Sequence, residues 1–412
     1  MVYFYNNGTY VECPYFNDPH SRAYMYSLAS VFYLWDRPHY RALCFREDLV
    51  SNLNNVAVPG TFINLSKFFY CRFTAYVLIW LLAPCYVFWV VIWDKRSLSC
   101  KVELFENLLC RPTDWFNMWQ LNCRVTSLHS YLTQSRGYSM ENKWNFLQEA
   151  HRLGIPVSPF IAAPARFVLK NKNIEGGMGI HFFQNASAGG DWIIQEALYN
   201  DRYIASMLPD NAPLSTIRII TYSEHALLII AKAEESNTEH ESEVSRSSIK
   251  GIACVFRAGR AGVLTDHKSV LFNVDITSGI IGEGCTNENW YMVGVDGFCA
   301  RWFKKQSEQG IKKFTRHPDS GETITGKCIP NITKLVQLCT DAHRACCPDV
   351  PLCGWDVALT STCGPVLLEV NLSCNFFEAK FDLPEYFNFV DKIFRLLDGK
   401  LQANLFKKEP VL

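Results

Sequence analysis

Asp356, Glu369 and Asn371 are the residues of this chain whose types and spacing best suit chemistry. They lie in two apolar, β-branched runs, Gly354–Thr360 and Gly364–Asn371, which flank Ser361-Thr362-Cys363-Gly364 and read as a β-hairpin. Pro365 lacks an N–H and cannot lie deep inside a central strand. Folding the hairpin symmetrically about the Thr362/Cys363 midpoint sets Asp356 opposite Glu369. Strand side chains alternate, so Asn371 points to the same face as Glu369. Two facing carboxylates repel each other, so a cation is expected between them. Hard oxygen donors of this kind suit Mg²⁺ bound together with substrate phosphates.

Further elements must position that hairpin. Met140, Trp144, Leu147 and His151 share a helical face, in a helix that begins near Asn142-Lys143 and stops at Gly154-Ile155-Pro156-Val157. Arg166–Lys170 reads as a strand, residues 171–179 as a Gly-rich loop, and Ile180–Phe183 as a second strand. Gly176, Gly177 and Gly179 let backbone N–H groups approach phosphates. Lys170 can reach the same phosphates as a cation, with Lys172 as its rival. No Lys-Ser/Thr follows the last glycine, so the loop is not of the Walker A type. Asp191–Leu198 reads as an apolar strand that ends in polar residues. Arg218 sits mid-strand in Ser215-Thr216-Ile217-Arg218-Ile219-Ile220-Thr221 and needs a partner, because an unpaired buried charge is costly. A phosphate, an acyl phosphate or an acid in a structural salt bridge would serve. Ile252–Arg257 and Leu271–Ile276 are expected as strands, 234–248 as a solvated polar loop, and Ile332–Ala345 and Asp382–Leu397 as helices. Arg257, Arg260, Asp266 and His267 either face the site or lie on the surface.

The acid followed by a Glu-x-Asn pair resembles the metal end of the ATP-grasp fold, and the upstream segments follow in the matching order. Ser215–Thr221, and His317-Pro318-Asp319-Ser320-Gly321 with Ile329-Pro330 after it, resemble the sugar-transfer-associated ATP-grasp subgroup, related to α-L-glutamate ligases. The resemblance covers about residues 140 to 397. It implies an α+β fold in which two antiparallel-sheet subdomains grip ATP, with Mg²⁺ held by Asp356, Glu369 and Asn371. It also implies a mobile lid at Lys170, Gly176, Gly177 and Gly179. The adenine hinge would fall at Glu196, whose side chain reads equally well as a plain edge acid. Arg218 would stabilise the transferring phosphoryl group. The activity so implied is ATP-dependent joining of a carboxylate to an amine or similar nucleophile through an acyl phosphate, in a setting tied to sugar transfer or cell-surface polymers. A fold does not fix a reaction. A non-catalytic, membrane-tethered nucleotide-binding scaffold, a small-molecule or sugar kinase, and a membrane structural protein remain as alternatives. No His-Arg-Asp or Asp-Phe-Gly signature of a protein kinase is present.

At 412 residues the chain is long enough for two or three domains, and 49% of its residues are hydrophobic. Forty basic residues balance forty acidic ones, so nothing points to a nucleic-acid partner. The 17 cysteines are scattered without a C-x-x-C pair and read as reduced packing residues. Cys346, Cys347 and His343 lie close together, but no second ligand pair appears at zinc spacing. Residues 74–93 carry no charge and are about as long as a membrane-crossing helix needs to be. Trp and Tyr sit near both ends of this run. A single transmembrane helix is expected there, with a buried helix pair or an interfacial segment as the alternative. Lys95, Arg96, Lys101 and Arg111 follow it, which places the C-terminal part in the cytoplasm of a single-pass membrane protein. The expected organisation is an N-terminal region over 1–73, the span over 74–93, a helical connector over 97–138, and an ATP-grasp domain over 140–397.

Overall fold

The computed structural model describes residues 2–54, 64–93, 97–98, 100–102, 105, 115–161, 167–170, 180–183, 193–232, 249–265, 269–286, 313–377 and 379–406. Helices and antiparallel sheets are mixed, as an α+β fold requires. A two-stranded sheet pairs β1 (Phe167–Lys170) with β2 (Ile180–Phe183), with Lys170 opposite Ile180. These are the two strands expected from the sequence; residues 171–179, with Gly176, Gly177 and Gly179, lie outside the described residues. A six-stranded sheet contains β3 (Thr216–Ser223), β4 (Ile249–Ala258), β5 (Val270–Val274), β6 (Ile281–Thr286), β7 (Leu352–Thr360) and β8 (Gly364–Asn371). Its order is β6-β5-β4-β3-β7-β8, and every pairing is antiparallel. Pro365 therefore lies on an edge strand, where its missing N–H breaks no ladder.

The central strand β3 is buried at all eight residues, so both faces of the sheet are covered. On one face Ile217, Ile219, Trp355 and Val357 pack beneath the helices Lys143–Arg152 and Ile332–Cys346. Trp355 is fully buried; truncating such a side chain typically costs about 3–5 kcal/mol. The helix Lys143–Arg152 starts where the sequence suggests: Asn142 caps it, accepting from the N–H groups of Trp144 and Asn145 at 2.9 and 3.1 Å.

On the other side Ile220, Tyr222, Ala253 and Leu352 join a core that also takes in the first seventy residues. The helices Pro19–Leu34 and Trp115–Thr133 pack against each other and against the C-terminal helix Leu383–Phe406. Polar side chains lock this arrangement. The Tyr10 N–H donates to Asp398 at 2.8 Å, the Tyr10 hydroxyl to Asp391 at 2.9 Å, and Arg22 to Asp391 at 2.7 Å. Asn122 donates to the Cys374 carbonyl and accepts from Tyr386. The segment read as a connector over 97–138 thus contains a buried core helix. One hydrophobic cluster takes in residues from Phe4 to Leu397.

Two expectations need correction. Residues 72–92 form a short helix Arg72–Tyr76, a π-helical stretch Val77–Leu82 and a helix Ala83–Ile92 in succession. Among the described residues no helix is long and apolar enough to cross a membrane. The interruption falls just before Pro84, whose ring and missing N–H disrupt an α-helical ladder, and a wider turn is one way to absorb that. Part of this run is packed: Tyr76 stacks on Phe32 at 3.7 Å, and Ala75 is buried. Phe73, Leu81, Phe88, Trp89 and Trp93 are exposed. The second correction concerns the expected strand over 191–198. Its described part, from Ile193, makes only an isolated bridge, Phe160 with Gln195. The neighbouring segment contains Pro156 and Pro159, which cannot donate to a ladder.

Candidate functional site

The β7–β8 hairpin places Asp356 opposite Glu369, as the sequence suggested. It does so by a less direct route than a symmetric fold. Near the turn the register is centred one half-step earlier, with Thr360 paired to Gly364 and Val357 to Leu367. Gly364 takes a left-handed φ of +69°, which a glycine adopts without strain. A bulge between Asp356 and Val357 then shifts the register, so that Asp356 meets Glu369 and Gly354 meets Asn371. The bulge is what brings the two acids face to face.

Their surroundings differ sharply. Asp356 is buried and lies beside Arg218, its partner across the β3–β7 pair. The Arg218 fork donates to both carboxylate oxygens at 2.5 and 2.9 Å, and Arg257 on β4 donates to Oδ2 at 3.1 Å. Phe377 lies across both guanidinium groups, with its ring centroid 5.4 and 5.8 Å from their central carbons. Gly354 makes room for this packing. A Cβ there would come within 2.6 Å of the Cys374 Cβ and 3.3 Å of the Arg218 guanidinium. Burial alone would raise the Asp356 carboxyl; Arg218 and Arg257 outweigh it and hold it down to about 2.

Glu369 is about a quarter exposed. Its Oε2 accepts from Lys143 at 2.8 Å, and its Oε1 from the Asn371 amide at 3.3 Å. Glu369 is also the main reason the Lys143 ammonium holds its proton more tightly than usual. Lys143 stands at the first residue of its helix, beside a wall built from distant parts of the chain. Glu141 accepts from the Leu372 N–H at 2.7 Å and from Arg41 at 3.1 Å, and Arg41 in turn pairs with Asp48 at 2.9 Å. A residue from the first fifty thus supports the backbone just after Asn371.

The cation expected between the acids is therefore supplied by the protein. Arg218, Arg257 and Lys143 surround Asp356 and Glu369. As a site for Mg²⁺ the donor set fits in part. The half-buried Glu369 carboxylate and Asn371 amide offer hard oxygens on one face. Both oxygens of Asp356 already accept from guanidinium groups, so Asp356 does not fit as a ligand where it stands. Arg218 takes the salt bridge that was one of its open options, and its fork is spent on Asp356 rather than on a phosphate.

Of the other expected site residues, Gly176, Gly177 and Gly179 lie outside the described residues. Lys170 is the last residue of β1. Glu196 is exposed, and its backbone N–H donates to the Pro159 carbonyl at 3.0 Å. Arg260 pairs with Asp319 at 2.6 Å, in the His317–Gly321 segment, while Asp266 and His267 lie outside the described residues. The sequence reading missed Lys143, Glu141 and Arg41. Lys143 had a visible signal, since it follows the Asn142 cap, but nothing in a linear pattern aims it at a strand 226 positions later. Of the expected surface-or-site residues, Arg257 joins the site, because it alternates in phase with Val255, the β4 partner of Arg218.

Residues 291–378 match the family model described as sugar-transfer associated ATP-grasp, the subgroup that the sequence resembles. The matched segment contains the His317–Gly321 motif, the helix Ile332–Cys346 and the whole Asp356–Asn371 hairpin. No curated protein matches the chain. The match and the mixed helix and antiparallel sheet support an ATP-grasp domain with ATP-dependent, ligase-type activity in general.

Proposed function

We propose that this protein binds ATP as its magnesium complex and joins a carboxylate to an amine or similar nucleophile through an acyl phosphate. The observation that carries the proposal is the open face of the hairpin. Glu369 and Asn371 present oxygen donors there, next to the Lys143 ammonium, within the segment that matches the ATP-grasp model. Glu369 and Asn371 would hold Mg²⁺, which when bound neutralises phosphate charge. Lys143 adds a cation at the same spot, and Lys170 with Gly176, Gly177 and Gly179 would close over the phosphates. In this scheme a substrate carboxylate oxygen attacks the γ-phosphorus and ADP leaves. The nucleophile's lone pair then attacks the acyl carbon, phosphate departs, and the nucleophile gives up its proton. Asp356 acts from behind by fixing Arg218 and Arg257, whose charge keeps the floor of the site electropositive. Glu196 stands at the adenine hinge. The acid and the nucleophile belong to sugar-linked or cell-surface polymer chemistry, and the apolar run over 74–93, exposed at Leu81, Phe88, Trp89 and Trp93, tethers the protein to a membrane with the catalytic part on the cytoplasmic side.

The saturation of Asp356 favours one rival, a nucleotide-binding scaffold without turnover, since two arginines already occupy the carboxylate that magnesium would share. ADP release separates the two. The full chain is incubated with Mg·ATP and a panel of carboxylates, with and without amines. Release that needs both partners supports the ligase. Thermal stabilisation by Mg·ATP, about 2.7 kcal/mol at a hundredfold excess over the dissociation constant, without release under any pairing supports the scaffold. Release with hydroxyl acceptors alone would indicate a kinase.

A further inference from the structure

Behind Asp356, on the opposite side of β7, three soft ligands meet in a dry part of the core. His343 comes from the last turn of the helix Ile332–Cys346, Cys347 caps that helix, and Cys353 is the second residue of β7. All three are fully buried, and one ligand atom from each lies within 4.8 Å of the others. The Cys347 and Cys353 sulfurs are 3.7 Å apart, and the Cys353 sulfur is 3.4 Å from His343 Nε2. A tetrahedral zinc ion, with Zn–S near 2.3 Å and Zn–N near 2.0 Å, sets two sulfurs roughly 3.7 Å apart and a sulfur and nitrogen roughly 3.5 Å apart. We infer that His343, Cys347 and Cys353 form a structural zinc site that clamps the end of this helix to the strand carrying Trp355 and Asp356.

The surroundings suit a metal ligand. The outer nitrogen of His343, Nδ1, lies 2.8 Å from the Thr221 hydroxyl, which also accepts from Trp355 Nε1 at 2.8 Å. An imidazole whose far nitrogen is held this way presents Nε2 in a fixed direction, the usual support for a metal-bound histidine. Nε2 donates to the Val350 carbonyl oxygen at 2.9 Å; ligation would move that proton to Nδ1, which faces the Thr221 hydroxyl, and would leave the Val350 oxygen beside the ion. Charge selects the ion. Two thiolates and a neutral imidazole around Zn²⁺ sum to zero, which a dry interior accepts, whereas a monovalent soft cation would leave a buried net negative charge. Binding releases two thiol protons, so occupancy strengthens as pH rises. His343 and Cys347 stand close together in the sequence; Cys353 is not grouped with them there because it lies beyond the helix, in β7.

The test uses the full chain, produced in zinc-supplemented medium and purified without chelator. The wild type should carry about one zinc per chain, and Cys347→Ala and Cys353→Ala less than about a tenth of that. Cys339→Ala, altering another buried cysteine on the same helix, should keep it. Because either site variant could misfold, the wild-type protein is also stripped of metal and titrated with Co²⁺. A near-ultraviolet thiolate-to-metal band that saturates at about one equivalent supports the site. Wild-type zinc no higher than in Cys347→Ala, no such band, or recovery of Cys347 and Cys353 as a disulfide would overturn it.

Discussion

Asp356 and Glu369 face each other across one pair of strands, yet they occupy opposite kinds of surroundings. Asp356 is sealed beneath Phe377 and held by two guanidinium groups, whereas Glu369 opens to solvent and meets a single exposed lysine. The difference shows how a protein handles facing carboxylates. One acid is neutralised permanently and becomes part of the framework; the other stays available to bind. On this reading the framework role belongs to Asp356, Arg218 and Arg257, and the ligand role to Glu369, Asn371 and Lys143.

Removing the sealed acid gives the largest effect. Asp356→Ala strands the buried Arg218 and the partly buried Arg257 and should cost about 3–5 kcal/mol in urea unfolding. A loss below about 1 kcal/mol would mean that the arginines find water, and that the sealed end is no framework.

Acid titration sharpens the same point. The Asp356 carboxyl ordinarily releases its proton near 3.8, but in the folded protein only near 2. A lowered folded value means stability that is fully present above 3.8 and lost as the pH falls towards 2, worth about 2 kcal/mol for this shift. His343 is also lowered, from 6.5 to about 4, so its contribution begins to fall below pH 6.5 and must be separated from that of Asp356. Comparing wild type with Asp356→Asn between pH 4 and pH 2 does this, because both proteins keep His343. The wild type should lose stability more steeply than the variant, by the slope of up to one extra proton bound on unfolding.

The open end should barely register in stability. Glu369→Gln is expected to change unfolding by less than about 1 kcal/mol, since its partner is exposed and screened. Lys143→Ala should change it by about half that or less. Both shifts should shrink further in high salt, whereas that of Asp356→Ala should not. A Glu369 variant as damaging as Asp356→Ala would erase the contrast between the two ends.

The hairpin was legible in the sequence, but the contrast between its two acids was not, because both read there as ligands of one metal ion. The alternation of Leu367–Asn371 and the position of Pro365 identify the edge hairpin, and Arg218 among isoleucines announces a buried charge in need of a partner. The choice of partner was not legible, because the pairing of β3 with β7 joins residues 138 positions apart. The bulge at Asp356 is likewise set by the geometry of the turn and not by any residue pattern. The first seventy residues looked weakly patterned because their helices are covered on several sides. Pro19–Leu34 buries residues all round, including Arg22, Tyr24, Ser27 and Phe32, so no single apolar stripe marks it. The uncharged run over 74–93 showed length and hydropathy but concealed the π-helical break ahead of Pro84.

The most direct measurement is calorimetric titration of Mg·ATP into the full-length wild type and into Glu369→Gln, each first shown to have the same urea midpoint. The account predicts binding to the wild type and an affinity at least about tenfold lower in the variant, a loss of roughly 1.4 kcal/mol or more. Equal affinities in the two proteins would contradict it, because the open end of the hairpin would then have no part in holding the nucleotide.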